Sequence, residues 1–204
     1  LGPEFAAKIA ERLGVGVVYV LFPTPGQLAD AVDDGVWDIG LIGSEPSREE
    51  RITFTGAYVE IEATYLVPEG SPIQSIEDVD RPGVRIAVSG RSAYDLYLTR
   101  NLKHAQLFRA EGLSRATTLF VEDRLDVLAG LRPPMMEDLP NLPGNRILDG
   151  RFTAVQQAVG MQKANNLGVS FLSDYVEEAK VSGLIARLID KHGVTGKLSV
   201  AHAK

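Results

Sequence analysis

The run Gly43-Ser44-Glu45-Pro46-Ser47-Arg48 follows an apolar stretch, DIGLIG, and places a guanidinium about one turn beyond the end of a candidate strand. Such an end delivers backbone N–H groups, and an arginine beside it can hold a carboxylate through two parallel hydrogen bonds. A polar run such as SREER is also an ordinary solvated turn, so from its spacing alone Arg48 has two readings. A second junction of the same form lies in AVSGRSAYDLYL, where a strand leads into Gly90, Arg91 and Ser92. Ser92 can cap a helix, with Asp95 three residues on completing a capping box, or it can meet an anion. Arg132 emerges from DVLAGL just ahead of Pro133 and Pro134, as a loop residue or as a cation at a strand end. Ligands of open α/β sheets sit at the carboxyl ends of strands, so two such junctions carry more weight than one.

Other chemistry is poorly supplied. The chain has no cysteine, which removes thiolate ligands, thiol nucleophiles and disulfides. His104, His192 and His202 lie far apart with no i, i+4 pairing, so no metal centre is expected. No nucleophile elbow, Walker loop, GxGxxG turn or HExxH helix is present. Glu60 and Glu62 alternate along an extended segment, the pattern of a solvent-facing strand edge rather than of an acid/base pair. The expectation is therefore a protein with no catalytic residue and no cofactor. Among 204 residues, 21 basic against 27 acidic give a net charge of −6, which opposes diffuse binding to nucleic acid or anionic lipid. Any anion it takes must meet a local positive site.

The elements that would position these residues alternate between strand and helix. PEFAAKIAERLG carries Phe5, Ile9 and Leu13 at helical spacing and stops at Gly14. VGVVYVLF (15–22) has the composition of a strand, GQLADAVDDG (26–35) that of a short helix, and WDIGLIG (37–43) that of a buried strand. ITFTGAY (52–58) and IEATYLVP (61–68) are extended, and beyond the proline-punctuated 71–83 the chain restarts with strand 84–89 and helix 92–102. RLDVLAGL (124–131) is a further strand, 146–161 holds another extended run, and 171–193 is a long helix that Gly183 can split. Such alternation implies an α/β protein with a parallel sheet. Two extended segments, 61–67 and 152–161, join two α/β units. No apolar run reaches the roughly 20 residues needed to cross a bilayer.

WDIGLIGSEPSREERITFTGAYVEIEATYLVPEGSPIQSIEDV resembles type II periplasmic solute-binding proteins of the amino-acid (family 3) ABC uptake class. Pro46, Arg48, Ile52, Phe54 and Tyr58 keep that family's register, and GVRIAVSGRSAYDLYLTRNLKHA and VEEAKVSGLIARLIDKHGV extend the likeness over essentially the whole chain. It starts just after the family's usual first strand, which is therefore expected to be missing here. The resemblance implies a two-lobe type II periplasmic-binding fold with two hinge strands. Its first lobe takes 1–62 and 159–204, its second 68–153, and its hinge strands 63–67 and 154–158.

The same resemblance implies a function. The chain would be a periplasmic, monomeric binding protein that closes on a small carboxylate ligand between its lobes and hands it to an inner-membrane ABC permease. Arg48 would bind the carboxylate, with Gly43 and Ser44 offering backbone donors. Gly90, Arg91 and Ser92 would close from the other lobe, and Gln157 on the second hinge strand would face the cleft. Gly43 stands where amino-acid binders carry a hydroxyl, and Leu131 where they place the aspartate that holds an α-ammonium. With Arg132 following Leu131, the implied ligand is an amino acid or, by preference, an organic acid without an amino group. A dehydratase-like enzyme and a ligand-sensing receptor domain are the alternatives on this fold.

Overall fold

The computed structural model describes residues 1–164 and 167–203. In chain order its main elements are α1 (Gly2–Leu13), α2 (Pro25–Asp30), β1 (Gly40–Gly43), β2 (Ile52–Pro68), β3 (Arg85–Ser89), α3 (Ala93–Asn101), β4 (Gln106–Ala110), α4 (Gly112–Glu122), β5 (Val127–Leu131), α5 (Arg132–Asp138), β6 (Asn145–Ile147), β7 (Thr153–Gln162), α6 (Val169–Val181), α7 (Leu184–Lys191) and β8 (Ser199–Val200). They form a mixed α/β open-sheet protein. One unit comprises Leu1–Glu60 with Gln156–Lys204, and the other Ile61–Val155, so the chain passes between them twice, inside β2 and inside β7.

In the first unit, β1 pairs antiparallel with β7, Gly43 opposite Gln157, while β8 pairs with β2. Gly160 of β7 has no room for a side chain, because an added Cβ would lie 2.6 Å from Ile52. α1 buries Phe5 and Ile9, four residues apart on one face, each worth about 1.5–3 kcal/mol. It ends where Gly14, at φ 68°, lets the Val15 N–H reach back to the Ala10 carbonyl. The long C-terminal helix is broken where expected: Gly183 takes φ 74° between α6 and α7.

Residues 15–22, expected as a strand, are not one. They join no ladder among the described residues, and residues 15–21 are exposed, Val18 at 89% and Leu21 at 88%. β-branched composition expresses fit to a pleated neighbour, and without a neighbouring strand it specifies no pairing.

The second unit orders its strands β2-β5-β3-β4, with β6 also on β2. β3 runs parallel to β4 and β5, while β2 meets β5 antiparallel. Both faces are buried. Tyr65, Val67, Ile86, Val88, Val127 and Ala129 enter one core, and the intervening Leu66, Ala87 and Leu128 enter the other with Phe120 and Met135. β4, α4 and α5 occupy stretches that the sequence pattern leaves unassigned.

Candidate functional site

In the first unit the chain leaves β1 at Gly43 and folds through two successive turns. Arg48 N–H donates to the Glu45 carbonyl at 2.9 Å, and Ile52 N–H to the Arg48 carbonyl at 2.9 Å. This return brings the Arg48 side chain back to its own strand, where Nη1 donates to the Gly43 carbonyl at 2.6 Å. Arg48 is 6% exposed, so it is not the solvated residue that its polar neighbours allow. Gln157, half-buried on β7, lies across the ladder from Gly43. Gly43, Ser44, Arg48 and Gln157 are thus gathered at one end of β1. The expected backbone donor at Ser44 needs correcting, since its N–H is given to the Gln156 carbonyl at 2.8 Å. What Ser44 offers a ligand is its hydroxyl.

The second unit's junction is more tightly self-bonded than the sequence suggests. Gly90 N–H donates to the Ala110 carbonyl at 2.9 Å, and Ser92 N–H to Ser89 at 3.3 Å. Ser92 Oγ accepts from Asp95 N–H at 3.1 Å, as an N-cap should. The reciprocal arm of the expected capping box is displaced by one residue. Arg91 sits in the left-handed region at φ 61°, and this turns its own N–H toward the Asp95 carboxylate, 2.7 Å away. Asp95, 2% exposed, also accepts from Arg109 Nε at 3.0 Å. All three N–H groups of Gly90, Arg91 and Ser92 are therefore used within the unit, and a ligand here meets side chains rather than a backbone cradle. Burial raises the pKa of the neighbouring Tyr94 phenol, and its hydrogen bonds with Ser92 and Ser89 offset part of that rise.

Arg132 follows β5, which runs parallel to β3, and so lies at the same strand ends as this junction. It is the first residue of α5, followed by a proline suited to a helix start, and its Nε donates to Glu62 Oε2 at 2.8 Å. Its Nη2 reaches the Gly150 and Leu148 carbonyls. Arg132 thus clamps β2 to the loop after β6. Glu62, which the alternation assigned to solvent, is the acceptor of that clamp, with Arg151 3.7 Å from its other oxygen.

Arg109 is a residue that sequence reasoning missed. QLFRA shows only a short alternation, and the contact with Asp95 arises from the pairing of β3 with β4, Val88 opposite Arg109, which no local spacing reveals. The three histidines stay apart. His192 meets Glu4, while His104 donates its backbone N–H to Asp80 and His202 gives its carbonyl to Lys180. No group of metal-ligating side chains occurs among the described residues. No helix among them is long and apolar enough to cross a membrane.

Solved structures with the same fold are numerous, and three are informative by what they are. The substrate binding protein of an amino acid ABC transporter superposes with a TM-score of 0.76 at 21% identity, covering 93% of this chain and 85% of that one. The ancestral amino acid-binding protein AncCDT-1, a precursor of cyclohexadienyl dehydratase, gives 0.74 at 22% identity, with 92% and 82% covered. The GluR0 ligand binding core in complex with L-glutamate gives 0.76 at 21% identity, with 92% and 86% covered. At these identities the likeness establishes the fold, of the periplasmic-binding type II kind. The sequence matches no curated protein. The profile of a family does match, over residues 1–195: the chain belongs to the bacterial extracellular solute-binding proteins, family 3.

Proposed function

We propose that this chain is the solute-binding component of an ABC importer, taking up a small carboxylate outside the cytoplasm and delivering it to an inner-membrane permease. Family membership supports the general role, since these proteins are extracytoplasmic, bind small solutes and work with such permeases. The observation that carries the choice of a carboxylate is Arg48. Its guanidinium is buried and steered by the Gly43 carbonyl to the end of β1, with the Ser44 hydroxyl and Gln157 beside it. A planar fork in that setting suits two parallel hydrogen bonds to a carboxylate, and burial strengthens them.

The mechanism proposed is a population shift. A ligand held by Arg48 in one unit and by Ser92 or Arg91 in the other favours the arrangement in which both engage it. The bending positions are β2 and β7, where the chain passes between units. The proposed ligand lacks an α-ammonium, because Leu131 supplies no carboxylate at the end of β5 and the nearby Glu62 is committed to Arg132.

Native mass spectrometry of protein purified undenatured from its own cells tests the reading. A co-purifying solute with a carboxylate, rebound by calorimetry to stripped protein, is the expected result. Retention and rebinding of a solute with no carboxylate would contradict it.

A further inference from the structure

The second unit carries a cavity of about 680 Å³ between the segment Pro68–Val84 and the C-terminal end of α4. It lies beside Val84 and Asp126, just before β3 and β5 begin, and so at the opposite strand ends from Gly90, Arg91 and Ser92. Its walls are largely apolar and stiff. Pro72, Ile73 and Pro82 come from one side, and Phe120, Val121 and Leu125 from the other. An open concavity of this size, with apolar walls and a rim of polar and charged groups, can take a small molecule.

The charges around it leave one cation over. Asp78 is taken by Arg81 and by the N–H groups of Gln74 and Ser75. Asp126 is taken by Arg85 through Nε and the backbone N–H. Arg124, which also lines the cavity, has no side-chain hydrogen bond or ion pair among the described residues. Its backbone is unusual as well. It occupies φ 48°, immediately after the Asp123 cap of α4, where Leu125 N–H closes back on the Phe120 carbonyl at 3.0 Å. Glycine is the residue that this turn favours, since it takes positive φ without steric cost. An exposed arginine therefore stands where the backbone favours glycine, and strain of this kind gathers where a side chain has work to do.

We infer that this cavity binds a small amphiphilic anion, a carboxylate or sulfonate on a compact aromatic or branched apolar body, whose head group pairs with Arg124. The apolar body lies against Phe120, Leu125 and Ile73. The −6 net charge of the chain opposes anions in general, so selectivity depends on that one guanidinium.

The test uses 1-anilinonaphthalene-8-sulfonate as probe on the intact chain, by fluorescence titration and backbone amide NMR. Saturable binding that shifts the amides of Gly83 and Gly144 is expected, weakened at least about tenfold in Arg124→Gly and only a few-fold in Arg124→Lys. Arg124→Gly relieves the backbone, so its melting temperature should hold or rise, separating lost binding from lost folding. N-phenyl-1-naphthylamine, the neutral analogue, should not distinguish Arg124→Gly from the parent. Equal sulfonate affinity in parent and Arg124→Gly, or shifts confined to residues away from this cavity, overturns the proposal.

Discussion

Arg132 and Glu62 are joined by an ion pair, Nε to Oε2 at 2.8 Å, that ties the start of α5 to β2. The same guanidinium holds the Leu148 and Gly150 carbonyls, so three segments of the second unit meet at one side chain. Because Glu62 is half exposed, the pair itself is worth little, and the carbonyls matter more. Glu62→Gln should cost under about 1 kcal/mol, and Arg132→Ala about 1–2 kcal/mol through the two carbonyl contacts it removes, the Thr64 hydroxyl remaining as a donor to both carbonyls. Urea denaturation of both variants measures this. Equal losses would place the energy in the ion pair instead.

Arg48→Ala should weaken binding of the co-purified ligand by about 2–5 kcal/mol, roughly 30-fold to several thousand-fold in Kd. The buried Gly43 carbonyl also loses its donor, so stability should fall by about 1–3 kcal/mol at the same time. Calorimetry below the melting temperature separates the two effects. Parent affinity in folded Arg48→Ala would remove Arg48 from the site.

Asp80 accepts the backbone N–H groups of Lys103, His104 and Ala105. Partial burial pushes its pKa up, but these three donors outweigh it and hold the carboxyl below its ordinary value. A lowered folded-state pKa means that stability is present above the unfolded value, about 3.9, and is lost as pH falls through the folded one. Asp80→Asn should therefore be less stable at neutral pH and show a flatter decline below about pH 4. Thermal melts across that range check it, and parallel curves for parent and variant would count against the assignment.

What could be read from the sequence was what local chemistry decides. Ser92 is the cap its spacing suggested, and Gly183 divides the last helix because only glycine takes that backbone angle cheaply. The stretch 15–22 misled because strand formation needs a neighbour, which its valines do not encode. The bonding of Arg132 is a related case. Its position after a buried strand was visible, but its partner Glu62 is 70 residues away, and a contact of that separation leaves no trace in spacing. Arg48 combined both cases: its type and place were legible, whereas its burial came from the turn at Glu45.

The ligand chemistry proposed above rests on what surrounds Leu131. An α-ammonium removed from water needs a carboxylate or several acceptors, since an unpaired buried charge is strongly unfavourable. Leu131 ends β5 and is half-buried, and it offers no acceptor in its side chain. Glu62 could have replaced the missing acid, but its carboxylate already receives Arg132 and lies near Arg151. Recruiting it to a ligand would break the clamp and release the guanidinium beside the incoming ammonium, adding repulsion to the loss. A keto, hydroxy, aromatic or dicarboxylic acid avoids that conflict while keeping the proposed Arg48 contact. A thermal-shift panel pairing each amino acid with its deaminated analogue should show stabilisation by an analogue and not by its amino acid, and Glu62→Gln should leave that preference intact. Stabilisation by amino acids alone, abolished in Glu62→Gln, would assign Glu62 to the ammonium and overturn this choice of ligand.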